Sequence, residues 1–145
     1  MGRLFLDTNI YLGALREEKA QANLLFERAL SCEFEIIYCE LIESEIYRKY
    51  PDLAGCLADQ LEKLLKKKKL IYTEISPNER REAIRLMKIL KTNGINIGYE
   101  DCIFGVKARN SGSILVSEDK MMVEELRKQK INARRLSHIF PELGD

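Results

Sequence analysis

Short apolar runs alternate with amphipathic stretches along most of the chain. The stretches between the runs carry apolar residues at helical spacing, and parallel strands need such long crossover connections. We therefore predict an α/β fold with one domain over residues 1–145, a three-layer α/β/α sandwich around a mainly parallel sheet. The apolar runs predict about five strands, near residues 3–7, 35–39, 70–75, 113–117 and 132–136.

Capping and proline signals place the helices between these strands. A helical hairpin is predicted over residues 9–31. A second helix, over residues 40–49, stops before Pro51 because proline disfavours helical backbone at the preceding residue. Asp52 is the predicted cap of the next helix, which runs to the lysine tract at residues 66–69.

The second half of the chain carries three further helix signals. Residues 76–79 combine a serine cap, a proline in the first turn and an acidic residue. The helix that they open ends near Asn93-Gly94, a typical C-cap pair. Two more helices are predicted over about residues 99–110 and 119–129.

The composition is typical of a globular domain, with 145 residues of which 46% are hydrophobic and 32% are charged. No apolar stretch approaches the roughly 18 residues needed to cross a membrane. The run Leu4–Leu6 is too short for a signal-peptide core, so we expect a cytoplasmic protein without a membrane anchor. A net charge of +1 gives no overall attraction to nucleic acid, so such affinity must come from local patches or a metal ion.

The cysteines and the histidine argue against several classes of site. Cys32, Cys39, Cys56 and Cys102 show no C-x-x-C spacing, and His138 is the only histidine. This pattern disfavours a zinc site or a disulfide framework and favours buried, reduced thiols. It also removes most Ser-His and Cys-His chemistry.

Asp7 ends the first apolar run and is the first candidate functional residue. The carboxyl ends of parallel strands are where open α/β sheets bind ligands, so a carboxylate here is placed for function. Thr8 and Asn9 offer side chains that would cap a helix beginning near Ile10. The alternative is that Asp7 itself is only a helix cap.

Glu45 is anomalous in the helix after the second strand. At about 100° per residue it falls between Leu41 and Ile42, on the apolar face that also carries Ile46. A buried glutamate is costly unless it is paired or binds a cation. Glu45 is therefore either a metal ligand or a partner in a salt bridge with a nearby Lys or Arg.

Asp101 and Asp119 are the remaining candidates. Asp101 lies on the side of its helix that carries Gly105 and Ala108, although a first-turn acid favoured by the helix macrodipole would also explain it. Asp119 follows the fourth apolar run and would otherwise cap the next helix. Periodicity alone does not rank Asp119 above Glu118.

Carboxylates without a histidine or cysteine partner suit a hard divalent cation such as Mg²⁺, which prefers oxygen ligands. Crowded carboxylates repel one another, and a cation relieves that repulsion. Such a centre polarises a phosphodiester and lowers the pKa of a bound water without a histidine base. The pattern thus predicts a divalent-metal centre, which would be suited to chemistry on phosphodiesters.

Polar motifs follow one another along the chain at Leu6–Asn9, Glu45-Ile46, Asp101–Ala108 and Ser117–Asp119. In this order they resemble a PIN domain, the fold of many metal-dependent nucleases, including the VapC toxins of bacterial and archaeal toxin–antitoxin pairs. The resemblance selects Asp119 over Glu118. It implies that the catalytic, metal-binding residues are Asp7, Glu45, Asp101 and Asp119, which we refer to as the acidic quartet. The supporting polar residues that orient them would be Thr8, Asn9 and Ser117. Met121 stands where a further aspartate is often found, which weakens a second metal site.

The resemblance implies an endoribonuclease that uses Mg²⁺ or Mn²⁺ to hydrolyse RNA, leaving a 5′-phosphate and a 3′-hydroxyl. The implied protein partners are a small antitoxin and a second copy of the chain in a homodimer. Two alternatives stay open: a non-catalytic PIN-like module that binds RNA or protein, and a housekeeping RNA-processing nuclease. An aspartyl phosphotransferase of the haloacid-dehalogenase type is disfavoured, because Asn9 stands where such enzymes carry a second aspartate.

Several surfaces outside the acidic quartet have two interpretations each. The tract Lys66–Lys69 is either a solvated helix end or an RNA contact. Tyr99 either packs or stacks on a base. The leucine stripe of the helix over residues 52–69 is either core or a partner surface. The other candidate RNA contacts are Arg80, Arg81, Lys107, Arg109, Arg134 and Arg135.

Overall fold

A computed structural model describes residues 2–16, 20–31 and 33–139 of the chain. The strand order in its single sheet is β3-β2-β1-β4-β5, and every neighbouring pair is parallel. The predicted α/β fold with a five-stranded parallel sheet is confirmed. The strands are β1 (Arg3–Leu6), β2 (Glu35–Tyr38), β3 (Leu70–Tyr72), β4 (Ile114–Ser117) and β5 (Ala133–Arg135).

Helices connect the strands and follow the last of them. They are α1 (Thr8–Leu15), α2 (Ala20–Leu30), α3 (Glu40–Lys49), α4 (Ala54–Lys66), α5 (Pro77–Thr92), α6 (Tyr99–Asn110), α7 (Lys120–Lys128) and α8 (Leu136–Ile139). The bounds of α3 and α6 agree with the predictions, whereas α8 was not predicted. Residues 17–19 of the predicted hairpin and Cys32 lie outside the described residues. Among the helices of the described ranges, none has the length and apolar character to traverse a bilayer.

The pleat of the sheet shows that helices cover both of its faces. Phe5 of β1 points to one face, where its ring centroid lies 5.4 Å from that of Phe104 in α6. Tyr38 of β2 follows Ile37, the register partner of Phe5, so it points to the opposite face. There its ring centroid lies 5.8 Å from that of Tyr11 in α1. These contacts form the predicted α/β/α sandwich.

The two central strands are deeply buried. Leu4, Phe5 and Leu6 of β1 have no accessible surface, and the same is true of Leu115 and Val116 of β4. Each such side chain contributes roughly 1.5–3 kcal/mol by leaving water. Because the core fixes β1 and β4 side by side, the residues that follow them are held at one edge of the sheet.

Two predicted boundaries in the middle of the chain are wrong. Asp52 does not cap α4, because it lies within a 3₁₀ turn over Pro51–Leu53 and the N-cap position, Leu53, makes no side-chain bond. β3 ends at Tyr72, earlier than its apolar sequence suggests. Its neighbour β2 ends at Tyr38, so the residues after Tyr72 have no strand to continue the pairing.

The predicted ends of α5 are confirmed. Ser76 Oγ accepts a hydrogen bond from Glu79 N at 3.1 Å, and Glu79 Oε1 accepts one from Ser76 N at 3.0 Å, which together make a capping box. At the other end Gly94 has a φ of 77°, a left-handed conformation that glycine adopts without steric cost.

The leucine stripe of α4 is core rather than a partner surface. Leu57, Leu61 and Leu64 are buried at helical spacing, as a face turned toward the core requires. Leu65, at the margin of the stripe, is 51% exposed.

The described cysteines only partly follow the prediction of buried thiols. Cys39 and Cys102 are buried and carry no disulfide. Cys56 is exposed on α4, so the prediction is wrong there. The reason is its position, because Cys56 directly precedes Leu57 and so lies off the buried face of the helix.

Candidate metal centre

Asp7 follows β1 directly and caps α1. Its backbone is extended, and its Oδ1 accepts a hydrogen bond from Thr8 N at 2.7 Å, so the helix begins at Thr8. The predicted start near Ile10, with Thr8 or Asn9 as the cap, is therefore wrong. The cap involves one oxygen of Asp7, and the residue is only 6% exposed.

Ser117, at the end of β4, connects three parts of this edge. The parallel register of β1 and β4 places it beside Asp7. Its Oγ donates to Asp7 Oδ2 at 2.7 Å and accepts from Asp119 N at 3.1 Å and from Asn9 Nδ2 at 3.3 Å. Asn9 Oδ1 in turn accepts from Glu118 N at 3.3 Å. Because a hydroxyl has one proton, these bonds direct that proton to Asp7.

Glu45 reaches the same edge from α3. Its Oε2 accepts a hydrogen bond from Thr8 Oγ1 at 3.3 Å, and Thr8 N is the group that Asp7 caps. The Glu45 side chain is 18% exposed, so it lies at the margin of the buried face. Its Oε1 lies 3.5 Å from Lys49 Nζ, so the salt bridge considered as the alternative is also present.

Asp101 lies in the first turn of α6, which has Gly98 at its N-cap. The residue is half-buried. It lines a cleft of ≈ 350 Å³ whose other walls include Glu45, Lys49 and Glu100. The macrodipole favours an acid in this turn, but the shared cleft also places Asp101 beside Glu45.

Asp119 is exposed at the N-cap of α7, where its Oδ1 accepts a hydrogen bond from Met122 N at 3.1 Å. The helix cap considered as the alternative is therefore present. A carboxylate offers about four lone-pair sites, so the cap leaves acceptor capacity for a ligand.

The four carboxylates interact electrostatically. Burial, followed by the negative charges of the other three members and of Glu100, raises the pKa of Asp101 to about 7. Burial also raises the pKa of Asp7 despite the two hydrogen bonds that it accepts, and the charges of Glu45 and Asp119 add to the shift. The structure thus brings the predicted quartet to one edge of the sheet, within range of mutual repulsion.

The donor set has the chemistry that a hard divalent cation requires. Asp7, Glu45, Asp101 and Asp119 offer only oxygen donors, and a cation would relieve their repulsion. Over residues 2–16, 20–31 and 33–139, no three His, Cys, Asp or Glu side chains lie close enough together to hold a metal ion as they stand. A cation would therefore have to draw these carboxylates together.

Two charged residues of the cleft were not predicted from the sequence. Lys49 could have been, because it follows Glu45 at the i,i+4 spacing of a helical ion pair. Glu100 has a raised pKa, caused by burial and then by a hydrogen bond and the charge of Glu45. Its Oε1 lies 3.8 Å from Arg48 Nη2. No periodicity signal singled out Glu100.

Several basic candidates for RNA contact are occupied or distant. The tract Lys66–Lys69 precedes β3, so it lies at the amino edge of the sheet, opposite the carboxylates. Lys107 Nζ lies 3.0 Å from Glu79 Oε1, and the two side chains are only 12% and 9% exposed. Arg109 Nη2 lies 3.0 Å from Glu82 Oε2. These residues serve structural ion pairs or face away from the candidate centre.

The candidate RNA contacts at the starts of α5 and α6 also have hydrogen-bond partners. Tyr99 is half-buried, and its hydroxyl accepts a hydrogen bond from Arg80 Nη1 at 3.4 Å. Arg81 Nη1 donates to Asn78 Oδ1 at 2.7 Å. Packing is therefore the observed role of Tyr99.

The sequence matches the family model of the PIN domain over residues 4–127. The chain belongs to the PIN domain family. The matched part of this PIN domain includes all four carboxylates and Ser117. No curated protein matches the chain in sequence.

Solved structures share the PIN fold with this chain at low identity. VapBC from Salmonella typhimurium, bound to DNA, gives a TM-score of 0.70 at 13% identity over 94% of this chain and 99% of that chain. VapBC2 from Rickettsia felis, bound to a promoter DNA fragment, gives a TM-score of 0.66 at 15% identity over 93% of this chain and 98% of that chain. FitAcB from Neisseria gonorrhoeae gives a TM-score of 0.66 at 14% identity over 95% of this chain and 99% of that chain. These likenesses establish the fold alone.

Proposed function

We propose that this PIN domain is a divalent-metal-dependent endoribonuclease whose Mg²⁺ or Mn²⁺ is held by Asp7, Glu45, Asp101 and Asp119. The observation that carries the proposal is the bonding at the carboxyl edge of the sheet. Ser117 Oγ links Asp7 Oδ2 at 2.7 Å to Asp119 N at 3.1 Å. Thr8 links the other oxygen of Asp7 to Glu45 through its N and its Oγ1.

The protein groups prepare the carboxylates for this role. A divalent cation, when bound, would supply Lewis-acid polarisation of the phosphodiester and of the attacking water. Asp7 is oriented through both oxygens, because Thr8 N and Ser117 Oγ donate to them. Asn9 fixes Ser117 in turn, and Thr8 fixes the direction of Glu45. Such supporting hydrogen bonds tune how strongly a carboxylate binds metal.

RNA as the substrate rests on the resemblance to PIN-domain nucleases. We infer hydrolysis of internal phosphodiester bonds on the same ground, with a 5′-phosphate and a 3′-hydroxyl as the new ends. The composition of the edge supports a metal-assisted route, because the hydroxyls of Thr8 and Ser117 donate to carboxylates and not to a histidine base. The one histidine of the sequence, His138, lies on α8 and is exposed.

The biological setting that we infer is a toxin–antitoxin pair. A toxin–antitoxin complex from Klebsiella pneumoniae shares the fold, with a TM-score of 0.52 at 16% identity. By analogy, this chain would dimerise and bind a small antitoxin protein. A housekeeping RNA-processing nuclease would use the same chemistry. Expression in cells distinguishes a toxin from a housekeeping nuclease. A toxin arrests growth when the wild type is expressed, and the Asp7→Asn variant does not.

A non-catalytic module that binds RNA or protein is the second candidate function. One observation favours it: in the described part of the chain, no group of three potential ligands is already close enough for a metal ion. On this alternative, Asp7 and Asp119 serve as the caps of α1 and α7 and have no further role.

Cleavage of end-labelled RNA tests the proposal. Wild type is assayed with Mg²⁺, with Mn²⁺ and with EDTA, beside Asp7→Asn, Asp101→Asn and the control Asp59→Asn on the exposed side of α4. We expect metal-dependent cutting by wild type and by the control, and its loss in both site variants. Cutting that survives both site substitutions contradicts the proposed centre. Folded wild type that cuts none of a varied RNA panel supports the binding module.

A further inference from the structure

A second cleft, of ≈ 390 Å³, lies between α7, β5 and α8. Its charged lining is dominated by cationic side chains, with one carboxylate among them. We refer to it as the basic cleft, and its polar lining residues are Lys120, Glu124, Arg127, Lys128, Arg135 and His138. Such a lining attracts anions, which the acidic quartet by itself repels.

The cations of the basic cleft are incompletely compensated. Lys128 Nζ lies 3.0 Å from Glu125 Oε1, outside the cleft lining. Lys120 and Arg127 form no ion pair within the described ranges. Arg135 is half-buried, and its Nε is a buried donor without a hydrogen-bond partner among the described residues. The guanidinium of Arg135 therefore adds a positive charge to the lining of the cleft that no ion pair in the described ranges compensates.

One end of the basic cleft lies at the same edge of the sheet as the carboxylates. Arg135 is the last residue of β5 and pairs in register with Ser117, the residue that bonds Asp7. Lys120 begins α7 immediately after Asp119. From Lys120 to Arg127 the helix rises by about 10.5 Å, so the cationic face leads away from the quartet.

Two other cations near the carboxylates are already in ion pairs. Lys49 lies 3.5 Å from Glu45, and Arg48 lies 3.8 Å from Glu100. Since the net charge is only +1, a polyanion must be held by a local patch. We infer that the basic cleft binds the phosphates of single-stranded RNA next to the bond that is cleaved. This inference rests on the proposed function and names where its substrate is held.

RNA binding without cleavage tests the assignment. A fluorescein-labelled single-stranded RNA is titrated in EDTA at several salt concentrations, with fluorescence anisotropy as the readout. The proteins are wild type, Lys120→Gln/Arg127→Gln, and the charge-matched control Lys63→Gln/Lys67→Gln at the distant end of α4. The substituted side chains are all exposed, so folding should be preserved in each variant.

The basic cleft predicts a specific change in salt dependence. Removing two phosphate contacts lowers the slope of log K against log salt by about 1.4, since each contact contributes about 0.7 for a single strand. We expect this decrease, with at least about tenfold weaker binding at low salt, in the cleft variant and not in the control. Arg135→Gln, once shown to be folded, should lower the slope by about 0.7.

Several results would overturn the assignment. Equal slopes for wild type and the cleft variant exclude phosphate contact here, and so does a wild type that binds no RNA at low salt. Displacement of the RNA by poly-glutamate at equal charge concentration would indicate an acidic protein partner instead. Cleavage by the same proteins with Mg²⁺ is scored separately. If wild type cleaves RNA and the cleft variant binds RNA as well as wild type does, RNA binding by the basic cleft is refuted and the nuclease is not. If wild type binds RNA through the basic cleft but does not cleave it, the nuclease activity is refuted and the RNA-binding cleft is not.

Discussion

Ser117 Oγ donates a hydrogen bond to Asp7 Oδ2 at 2.7 Å across the boundary between β4 and β1. The same oxygen accepts from Asp119 N and from Asn9 Nδ2. One buried hydroxyl therefore fixes a candidate metal ligand and the turn that carries another. Ser117 carries no charge, so it supports the proposed centre by orienting the carboxylates.

Ser117→Ala removes both functions of that hydroxyl. We expect a loss of about 1.5–3 kcal/mol in the free energy of unfolding, because a buried hydrogen bond to a charged group is lost. Affinity for Mn²⁺ should fall about 10–100-fold, as for other residues that orient metal ligands. Urea unfolding and a Mn²⁺ titration measure the two effects.

Two variants make the Ser117 test specific. Ser117→Thr keeps the hydroxyl and should retain Mn²⁺ affinity within a few-fold. Ser111→Ala removes a half-buried hydroxyl that bonds the backbone of α6 at Lys107 O, away from the carboxylates. It should leave Mn²⁺ affinity unchanged. Equal loss of affinity in Ser111→Ala and Ser117→Ala would contradict the orienting role.

Asp101→Asn should stabilise the protein in the absence of metal. Burial and the neighbouring carboxylates raise the pKa of Asp101 to about 7, so its charge opposes folding at pH 8. The neutral amide removes that repulsion, and we expect a gain of about 1–2 kcal/mol, or a few degrees in Tm. Thermal unfolding in EDTA measures it, with Asp59→Asn as the control. A destabilised Asp101→Asn would show that the carboxylate is an ordinary helix acid.

The buried pair of Glu79 and Lys107 should make stability depend on pH in one direction. Burial raises the pKa of Glu79, but bonds from Ser76 N, Lys107 Nζ and Asn110 Nδ2 outweigh it, so the net pKa is lowered. A lowered carboxyl pKa stabilises the fold above its unfolded value of 4.5, and this contribution is lost as the pH falls through the folded pKa.

Glu79→Gln tests that dependence. We expect a loss of about 2–4 kcal/mol near neutral pH, since one partner of a largely buried pair is removed, and a difference from wild type that shrinks as the pH falls below 4.5. Glu82→Gln breaks the more exposed pair with Arg109 and should cost less than about 1 kcal/mol. If the difference in unfolding free energy between Glu79→Gln and wild type grows as the pH falls, the pKa of Glu79 is not lowered by folding and the prediction is wrong.

Much of the fold was predictable because its signals are local. α3 ends before Pro51 and α6 ends at Asn110, where proline and an Asn-Ser-Gly sequence stop a helix. β3 was predicted too long because its apolar sequence continues beyond the end of β2, and pairing partners are a long-range property. α8 has four residues, too few for a periodic pattern.

The candidate site was predictable in its carboxylates but not in their connections. Resemblance and helical position selected Asp7, Glu45, Asp101 and Asp119 as single residues. The bond from Ser117 to Asp7 joins residues 110 positions apart, and no sequence period reports such a pair. Arg135 was one basic residue among many until the register beside Ser117 placed it at this edge.

Binding of Mn²⁺ tests the central claim, that these carboxylates form one cation site. Electron paramagnetic resonance measures free and bound Mn²⁺ for wild type, Asp7→Asn, Asp101→Asn and the control Asp59→Asn. We predict saturable binding by wild type and the control, and at least about tenfold weaker binding by each site variant. Binding that is equal in all four proteins, or absent from folded wild type, would contradict the account.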